Sequence, residues 1–394
     1  MISTKILLKY SLLLTSILLI LPNSIREVPF AFLGLLSIII YFKEKLYKIK
    51  DIYIFSFFLV CSISLIYTSN LKEGFSKIEG LLPVLYLSFS YLVFLRQNII
   101  SKQLVKKWII LFNTSNLVFI VIFFVYCYFK ITDFSYNNLR TILDTIPLIK
   151  IHPIYFSFIG ILTILINYRF QSLFKYYYLF IAVGFFEVYL SGVRATFLSF
   201  PLLLLLFVLL MKKSKLFKLK FLLITSIFLF SVSLLNKDLI KRFNEIKAPQ
   251  TFERVNIHNS TSIRYAIWTC AYEQMKTSNK LFGEGIGDVR DMLSTCYKTN
   301  YPELEKYYNT HNHYFYIYLT VGLIGLSAFF ISLLNIVFIS KTKDKQFLYL
   351  ALFFFLYTFL FENVLERKYG ILLFYFTIMF TFNLFLIEED KVIE

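Results

Sequence analysis

The feature that most constrains this chain is its series of apolar runs, which follow one another with short polar connections. A helix needs about 20 apolar residues to cross the hydrocarbon core of a bilayer, and runs of about this length recur along the chain. The runs are continuous, whereas the strands of a membrane barrel alternate apolar and polar residues. With 58% hydrophobic residues among 394, the sequence predicts an all-α polytopic membrane protein.

About twelve transmembrane helices are predicted, with one large extracytoplasmic loop. The apolar runs lie at about 1–22, 28–42, 52–68, 81–95, 108–128, 152–167, 176–190, 195–211, 219–235, 314–339, 346–361 and 370–387. No small-residue cleavage site follows the first run, so it predicts an uncleaved span and not a signal peptide. The predicted regions are helices 1–9 over 1–236, the loop over 237–312 and helices 10–12 over 313–394.

The positions of lysine and arginine predict how the chain is oriented. An even number of spans puts both termini on one side, and the short loops and termini of that side carry 21 Lys/Arg against nine in the opposite short loops. Because basic loops stay in the cytoplasm, we expect cytoplasmic termini and an external 237–312 loop. The net charge of +17 is spread over these loops, so it does not indicate nucleic-acid binding.

The long loop contains one predicted helix, at about 262–277. We expect a Ser/Thr cap at its start and Arg264 in its first turn, where helix amides already favour anions. The following run LFGEGIGD is glycine-rich, but no strand precedes it and no helix clearly opens from it, so we interpret it as a tight turn and not a dinucleotide site. Cys270 and Cys296 share the loop, and whether they form a disulfide is left open.

Several polar residues at the outer ends of spans are candidates for chemistry. Arg194 in SGVRAT is either an interfacial arginine or a phosphate ligand. His311 and His313 flank Asn312 and are either cap and interface residues or proton acceptors for a sugar hydroxyl. Glu362 is either a solvated helix end paired with a nearby Lys or Arg, or a carboxylate that orients an arginine. His152, and Lys72 with Lys77, are weaker candidates of the same kind. Metal-ligand spacing is absent from the sequence, so metal-free chemistry is expected.

Three motifs together resemble the O-antigen ligase and polymerase superfamily. They are SGVRAT, then SIRYAIW followed by LFGEGIGD, and finally THNHYFYIYLTVGLIGL. The resemblance covers about residues 150–370 and the twelve-span layout. It implies an all-helical protein of the bacterial inner membrane with a large periplasmic loop, acting without cofactor, metal or nucleotide on a glycan carried by undecaprenyl diphosphate.

The resemblance also implies residue roles. Arg194 and Arg264 match the family's diphosphate-binding arginines, His311 matches its essential histidine, and Gly322 and Gly325 match small residues that allow close helix packing. We expect Asn312, His313, Glu362, His152 and Lys72 to contact substrate. The implied reaction is a metal-independent, inverting transfer to a lipid A-core sugar or another glycan acceptor, with ligase ahead of polymerase.

Two other classes of function are weighed against this one. A flippase for lipid-linked glycans is expected to carry ionisable residues along a path through the membrane, whereas here charges gather at the outer ends. A scaffolding protein is expected to present an apolar or strongly charged loop, whereas this loop has 11 Lys/Arg and 9 Asp/Glu. The transferase interpretation is therefore favoured.

Overall fold

The computed structural model describes residues 4–130, 136–210, 255–257, 259–304, 308–342 and 345–386, and the single residues 216, 219, 223 and 244. Every regular element within these residues is helical. The predicted all-α class therefore agrees with the part of the chain that is described.

The α-helices of the described residues are numbered here in chain order. They are α1 Thr4–Leu14, α2 Val28–Lys43, α3 Ile52–Ile63, α4 Leu71–Gln97, α5 Lys102–Lys130, α6 Tyr136–Leu143, α7 Pro153–Arg169, α8 Tyr177–Ser191, α9 Arg194–Leu210, α10 Ser260–Thr277, α11 Val289–Asn300, α12 His313–Ile339, α13 Gln346–Thr358 and α14 Lys368–Phe376. α14 continues as π-helical turns over Thr377–Leu384.

Four helical segments are long and apolar enough to cross a membrane. They are Ile49–Ile66, which contains α3, and the helices α4, α5 and α12. Six shorter apolar helices accompany them, at Val28–Lys43, Pro153–Arg169, Tyr177–Ser191, Arg194–Leu210, Gln346–Thr358 and Lys368–Leu384. The chain is a multi-pass helical membrane protein, while the number of twelve spans remains a prediction. The run predicted at 219–235 and the start of the loop lie almost entirely outside the described residues.

α4 lies at the centre of the helix bundle. It packs against α2, α3 and α14, and most of its residues from Leu81 to Leu95 are buried. A second tight pair is formed by α7 and α8, where a Cβ on Gly160 would lie 2.8 Å from the backbone oxygen of Gly184. Small residues at such crossings let helix backbones approach closely, which is how helices gain packing energy in lipid.

The glycine-rich turn of the loop clamps α12 at a break in that helix. Gly322 has a φ of +62° and interrupts α12, which leaves backbone groups unpaired at membrane depth unless other groups bond them. The carbonyls of Leu319 and Thr320 accept hydrogen bonds from the N–H groups of Glu284 and Gly285, at 2.8 and 2.9 Å. The glycine-rich run is thus a backbone turn, and its N–H groups bond carbonyls that the break in α12 leaves without a partner in the helix.

One reason for rejecting a nucleotide site was wrong, because a helix does open directly after the glycine-rich run. α11 begins at Val289, and the sequence shows little sign of it because that helix is polar and short. The residue before it, Asp288, accepts hydrogen bonds from the backbone N–H groups of Ser69 and Asn70 at 2.8 and 2.7 Å. Asp288 therefore ties the loop to the start of α4.

α10 and α11 form a small unit with its own apolar core. Cys270 and Cys296 are joined in a disulfide across the two helices, and Ala266, Ile267 and Leu293 are fully buried beside it. The bond that the sequence left open is thus present. This unit carries Arg264 and the glycine-rich turn, so it sets both against the end of the helix bundle.

Candidate active site

Arg264 is held on a capped helix that begins earlier than predicted. Asn259 caps α10, its side-chain oxygen accepting from the N–H groups of Thr261 and Ser262 at 2.9 and 3.2 Å. The predicted Ser/Thr cap was therefore wrong, and Arg264 lies in the second turn and not the first. An asparagine is as good a cap as serine because its short side chain also reaches the free amides.

Glu362 joins Arg264 and His311, which come from separate segments of the loop. One oxygen of its carboxylate pairs with the Arg264 guanidinium, and the other lies 3.1 Å from Nδ1 of His311. The side chains of Arg264, Glu362 and His311 remain 25%, 19% and 26% exposed. A ligand can therefore reach a cluster whose members already orient one another.

The backbone at His311 is strained and firmly held. Its φ of +43° lies in the left-handed region, which costs a non-glycine residue roughly 1–3 kcal/mol and persists only where neighbours fix it. The N–H of His311 donates to the side chain of Asn309 at 3.1 Å. The preceding Thr310 donates to Asn363 at 2.9 Å and accepts from the Trp268 indole at 3.1 Å. The contacts thus fix the direction of the imidazole.

The electrostatics favour an ionised Glu362. Burial by surrounding protein raises its pKa, but the hydrogen bond from His311 and the charge of Arg264 outweigh burial, so the pKa is below its usual range. With the hydrogen on Nδ1, His311 donates to this carboxylate and its Nε2 lone pair is left to accept a proton. This is the arrangement that general-base catalysis requires.

Arg194 meets the same helix from the membrane side. It is the first residue of α9, and its guanidinium donates to the hydroxyl of Thr261 at 3.0 Å and to that of Ser260. Both hydroxyls lie about one turn before Arg264 on α10. The structure thus brings Arg194 to the end of α10 that bears the cluster.

The other predicted substrate-binding residues are placed differently. His152 caps α7, its Nδ1 accepting from the backbone N–H of Ile154 at 3.3 Å. Asn312 caps α12, its side chain accepting from the N–H of Phe315 at 3.1 Å, and His313 is buried between aromatic rings. Lys72 is exposed on α4, and no contact among the described residues joins it to the cluster.

A supporting network around Glu366 was not predicted. Its carboxylate binds Lys77 at 2.7 Å and Asn309 at 2.8 Å, and it also accepts from Asn363 at 3.3 Å. These bonds tie α4 to the segment that precedes His311. The polar run FENVLER between two apolar runs was the available signal, since it places two carboxylates and an arginine within seven residues.

One group of possible metal ligands lies within the part of the chain that is described: Cys270, Glu273 and Cys296. Both cysteines are in the disulfide and so have no thiolate to offer. The expected metal-free chemistry remains a prediction.

These features define the class: the chain is a multi-pass helical membrane protein. In it, the loop helix α10, the segment that holds His311, and Arg194 at the start of α9 converge at one end of the bundle. Residues 177–330 match the family model Wzy_C, described as O-antigen ligase. The match confirms the predicted resemblance to the O-antigen ligase superfamily over this segment. It contains Arg194, Arg264 and His311, whereas Glu362 lies beyond it. No curated protein matches the chain.

Proposed function

We propose that this protein is a glycosyltransferase that moves a glycan from undecaprenyl diphosphate to an acceptor hydroxyl at the periplasmic face of the inner membrane. The observation that carries the proposal is the contact of Glu362 with both Arg264 and His311. Through this contact a guanidinium, which can bind a diphosphate, lies next to an imidazole, which can accept the proton of a hydroxyl. We favour transfer to the lipid A-core, which is the reaction of a ligase, over transfer to another glycan unit, which is the reaction of a polymerase.

In the proposed reaction the acceptor oxygen attacks the anomeric carbon of the donor glycan. The bond from that carbon to the diphosphate oxygen breaks, and the lipid diphosphate leaves with the electron pair. Nε2 of His311 takes the acceptor proton, while Glu362 stabilises the resulting imidazolium. Arg264 and Arg194 bind the diphosphate, because a guanidinium matches phosphate oxygens in a two-pronged geometry and stays charged at any physiological pH. Attack opposite the leaving group inverts the anomeric configuration.

The disulfide supports the external location of the loop. Disulfides persist in the periplasm and are rare in the reducing cytoplasm, and Cys270–Cys296 lies in the same small unit as Arg264. An external site agrees with the excess of Lys/Arg in the loops on the other side of the membrane.

The proposal is tested with purified protein, a lipid-linked glycan donor and a core oligosaccharide acceptor, with product followed by mass spectrometry. His311→Gln should lower transfer about 100- to 10,000-fold, the usual contribution of a general base. Arg290→Gln is the matched control, because Arg290 is exposed and pairs with Glu73, on α4. Undiminished transfer by His311→Gln would reject the mechanism.

Cells separate the alternatives. In a deletion strain, lipid-linked polymer that accumulates without reaching the core indicates a ligase, and a core bearing one repeat unit indicates a polymerase. Lipid-linked glycan that stays on the cytoplasmic face indicates a flippase and contradicts the proposal. Each strain is complemented with the wild-type protein and with His311→Gln at equal protein levels.

A further inference from the structure

Glu187 is the only charged residue of the apolar run at 176–190, and it has no part in the proposed reaction. It lies on α8, about one turn before that helix ends, and it is fully buried. One of its carboxylate oxygens lies 3.4 Å from the hydroxyl of Thr163 on α7. The other has no hydrogen-bond partner among the residues that the structure describes. Because an ionisable side chain inside a membrane is costly, such a residue usually has a function.

The hydroxyl of Thr163 decides which form of Glu187 fits this place. A hydroxyl has one hydrogen to donate and two lone pairs that accept. The Thr163 hydroxyl donates to the backbone oxygen of Ile159 at 2.8 Å and accepts from the side-chain amide of Asn116 at 2.8 Å. Its only hydrogen is thus used at the shorter contact, and an ionised Glu187 is left without a donor. A protonated Glu187 instead donates to the second lone pair of Thr163.

The surroundings of Glu187 also oppose an ionised carboxylate. Gly160 and Gly184 bring α7 and α8 close together beside it, and a Cβ on Gly160 would lie 3.0 Å from the Cβ of Glu187. Within the described ranges of the chain, no cation pairs with this carboxyl group. An unpaired buried charge is much less favourable than a neutral acid that makes a hydrogen bond. The contacts therefore favour Glu187 with its proton.

A second buried polar contact lies on the other side of Arg194 in the chain. The hydroxyl oxygens of Thr196, in the first turn of α9, and Ser157 of α7 are 2.7 Å apart, and both residues are fully buried. The helices on either side of Arg194 are thus both bound to α7, one through Glu187 and one through Thr196. In lipid, polar contacts of this kind hold helices together, and a buried polar group can fix their register.

We propose that Glu187 is a positioning residue for the donor-binding Arg194, and that it acts as a protonated acid that donates to Thr163. The inference rests on the proposed function and adds a residue that sets where the diphosphate is bound. Only Gly192 and Val193 separate the end of α8 from Arg194, so a rotation of α8 displaces the guanidinium. A binding group must be held closely by its supporting residues to be effective, and the Glu187–Thr163 contact prevents this rotation.

The experiment measures KM for the lipid-linked donor and KM for the acceptor separately, with purified wild type, Glu187→Gln and Glu187→Leu. Glutamine keeps a hydrogen-bond donor for Thr163, whereas leucine has none. Ser332→Ala is the matched control. Ser332 is also fully buried, and its hydroxyl donates to the backbone oxygen of Ile54 at 2.9 Å, which joins α12 to α3 and not to the helices beside Arg194.

Glu187→Leu should raise KM for the donor about 3- to 20-fold, the range of interhelical hydrogen bonds in membranes, and change KM for the acceptor less than about two-fold. Glu187→Gln should keep both values near those of the wild type. Ser332→Ala should lower the melting temperature without raising KM for the donor. Thr163→Val removes the same hydrogen bond from the other helix and should repeat the effect on the donor, so it replaces Glu187→Leu if that variant does not fold.

Infrared spectroscopy tests the proton directly. At neutral pH the wild type should show the C=O stretching band of a protonated carboxylic acid, and Glu187→Gln should lack it. Spectra that do not differ in this band would overturn the protonated form. So would a melting temperature that rises with sodium concentration in the wild type but not in Glu187→Gln, because a bound cation would then take the place of the proton.

An unchanged KM for the donor in folded Glu187→Leu or Thr163→Val would overturn the positioning role. Equal rises in KM for donor and acceptor, or a glutamine variant that behaves like leucine, would overturn it as well. Each of these results leaves the proposed function standing. Absence of transfer by the wild type would instead defeat the proposed function itself, so the two failures are distinguishable.

Discussion

Two arginine–carboxylate pairs lie near opposite ends of the helix bundle, and they use their charges differently. At the last turn of α4, Arg96 binds both oxygens of Asp51, one of them at 2.7 Å. The same carboxylate also accepts from Tyr41 and from the N–H of Lys48. Beyond the other end of α4, Glu362 gives one oxygen to Arg264 and the other to His311.

The difference separates a structural clamp from a reactive cluster. Asp51 is 7% exposed and both its oxygens are bonded by neighbouring groups, so a ligand finds little there to bind. At Glu362 the carboxylate connects two groups that remain accessible, and the imidazole keeps one nitrogen for another partner. A paired arginine at a helix end therefore does not by itself indicate a functional site. The other groups that its partner carboxylate binds decide whether the pair can act on a substrate.

The largest expected effect contrasts the two arginines directly. Arg264→Gln should lower transfer about 100- to 1,000-fold, the typical loss of one preorganised charge donor, with a smaller drop in melting temperature than Arg96→Gln because Glu362 keeps its bond with His311. Arg96→Gln should instead destabilise the fold by roughly 3 kcal/mol, because it removes the cation from a mostly buried carboxylate, while transfer per folded molecule stays near that of the wild type. Thermal unfolding in detergent and the transfer assay measure both. If Arg264→Gln and Arg96→Gln lost the same activity per folded molecule, the two arginines would not differ in function.

A smaller loss is expected for Glu362→Gln, which keeps the shape of the side chain but not its charge. Transfer should fall about 10- to 100-fold, as for loss of a charge-assisted hydrogen bond. The pKa of Glu362 is lower in the folded protein than its ordinary value of about 4.3. Its stabilising effect is therefore fully present above about pH 4.3 and is lost as pH falls through the folded value.

The melting temperatures of wild type and Glu362→Gln should accordingly differ at pH 7 and converge in acid below the ordinary carboxyl range. A difference that is constant with pH would show that the ionised carboxylate does not stabilise the fold. The same series on Asp51→Asn extends the comparison, since the Asp51 carboxylate is also held by a cation and a neutral donor, Arg96 and Tyr41.

The smallest effect on transfer is expected from the clamp that sets the loop against α12. Gly322→Ala introduces a Cβ 2.3 Å from the backbone oxygen of Leu281 at a φ that only glycine adopts freely, at a cost of roughly 1–3 kcal/mol. Transfer should fall several-fold as the loop shifts, with a lower melting temperature. Gly80→Ala is the control, because its Cβ would meet nothing within 4 Å. Equal behaviour of the two variants would argue against the clamp.

The candidate residues could be predicted from the sequence because they stand between or at the ends of apolar runs and within motifs that resemble a known family. Arg194 and His311 border apolar runs and Arg264 lies in the polar loop, where a charged group is less costly than within a span. The supporting residues were harder to find. Glu366 and Arg367 follow Glu362 in one polar run. Sequence spacing does not show that Lys77 and Asn309, which are distant in the chain, bind Glu366.

The sequence by itself determined the class of protein, because continuous apolar runs can satisfy their backbone groups in lipid only as helices. It also predicted which residues face the outer side, from the distribution of Lys and Arg among the short loops. Only the tertiary structure decided that Glu362 links Arg264 to His311, that Arg96 and Asp51 form a closed clamp, and that Gly322 breaks α12. These depend on contacts between residues distant in the chain, and contacts of that kind are set by how the helices pack and not by the local pattern of side chains.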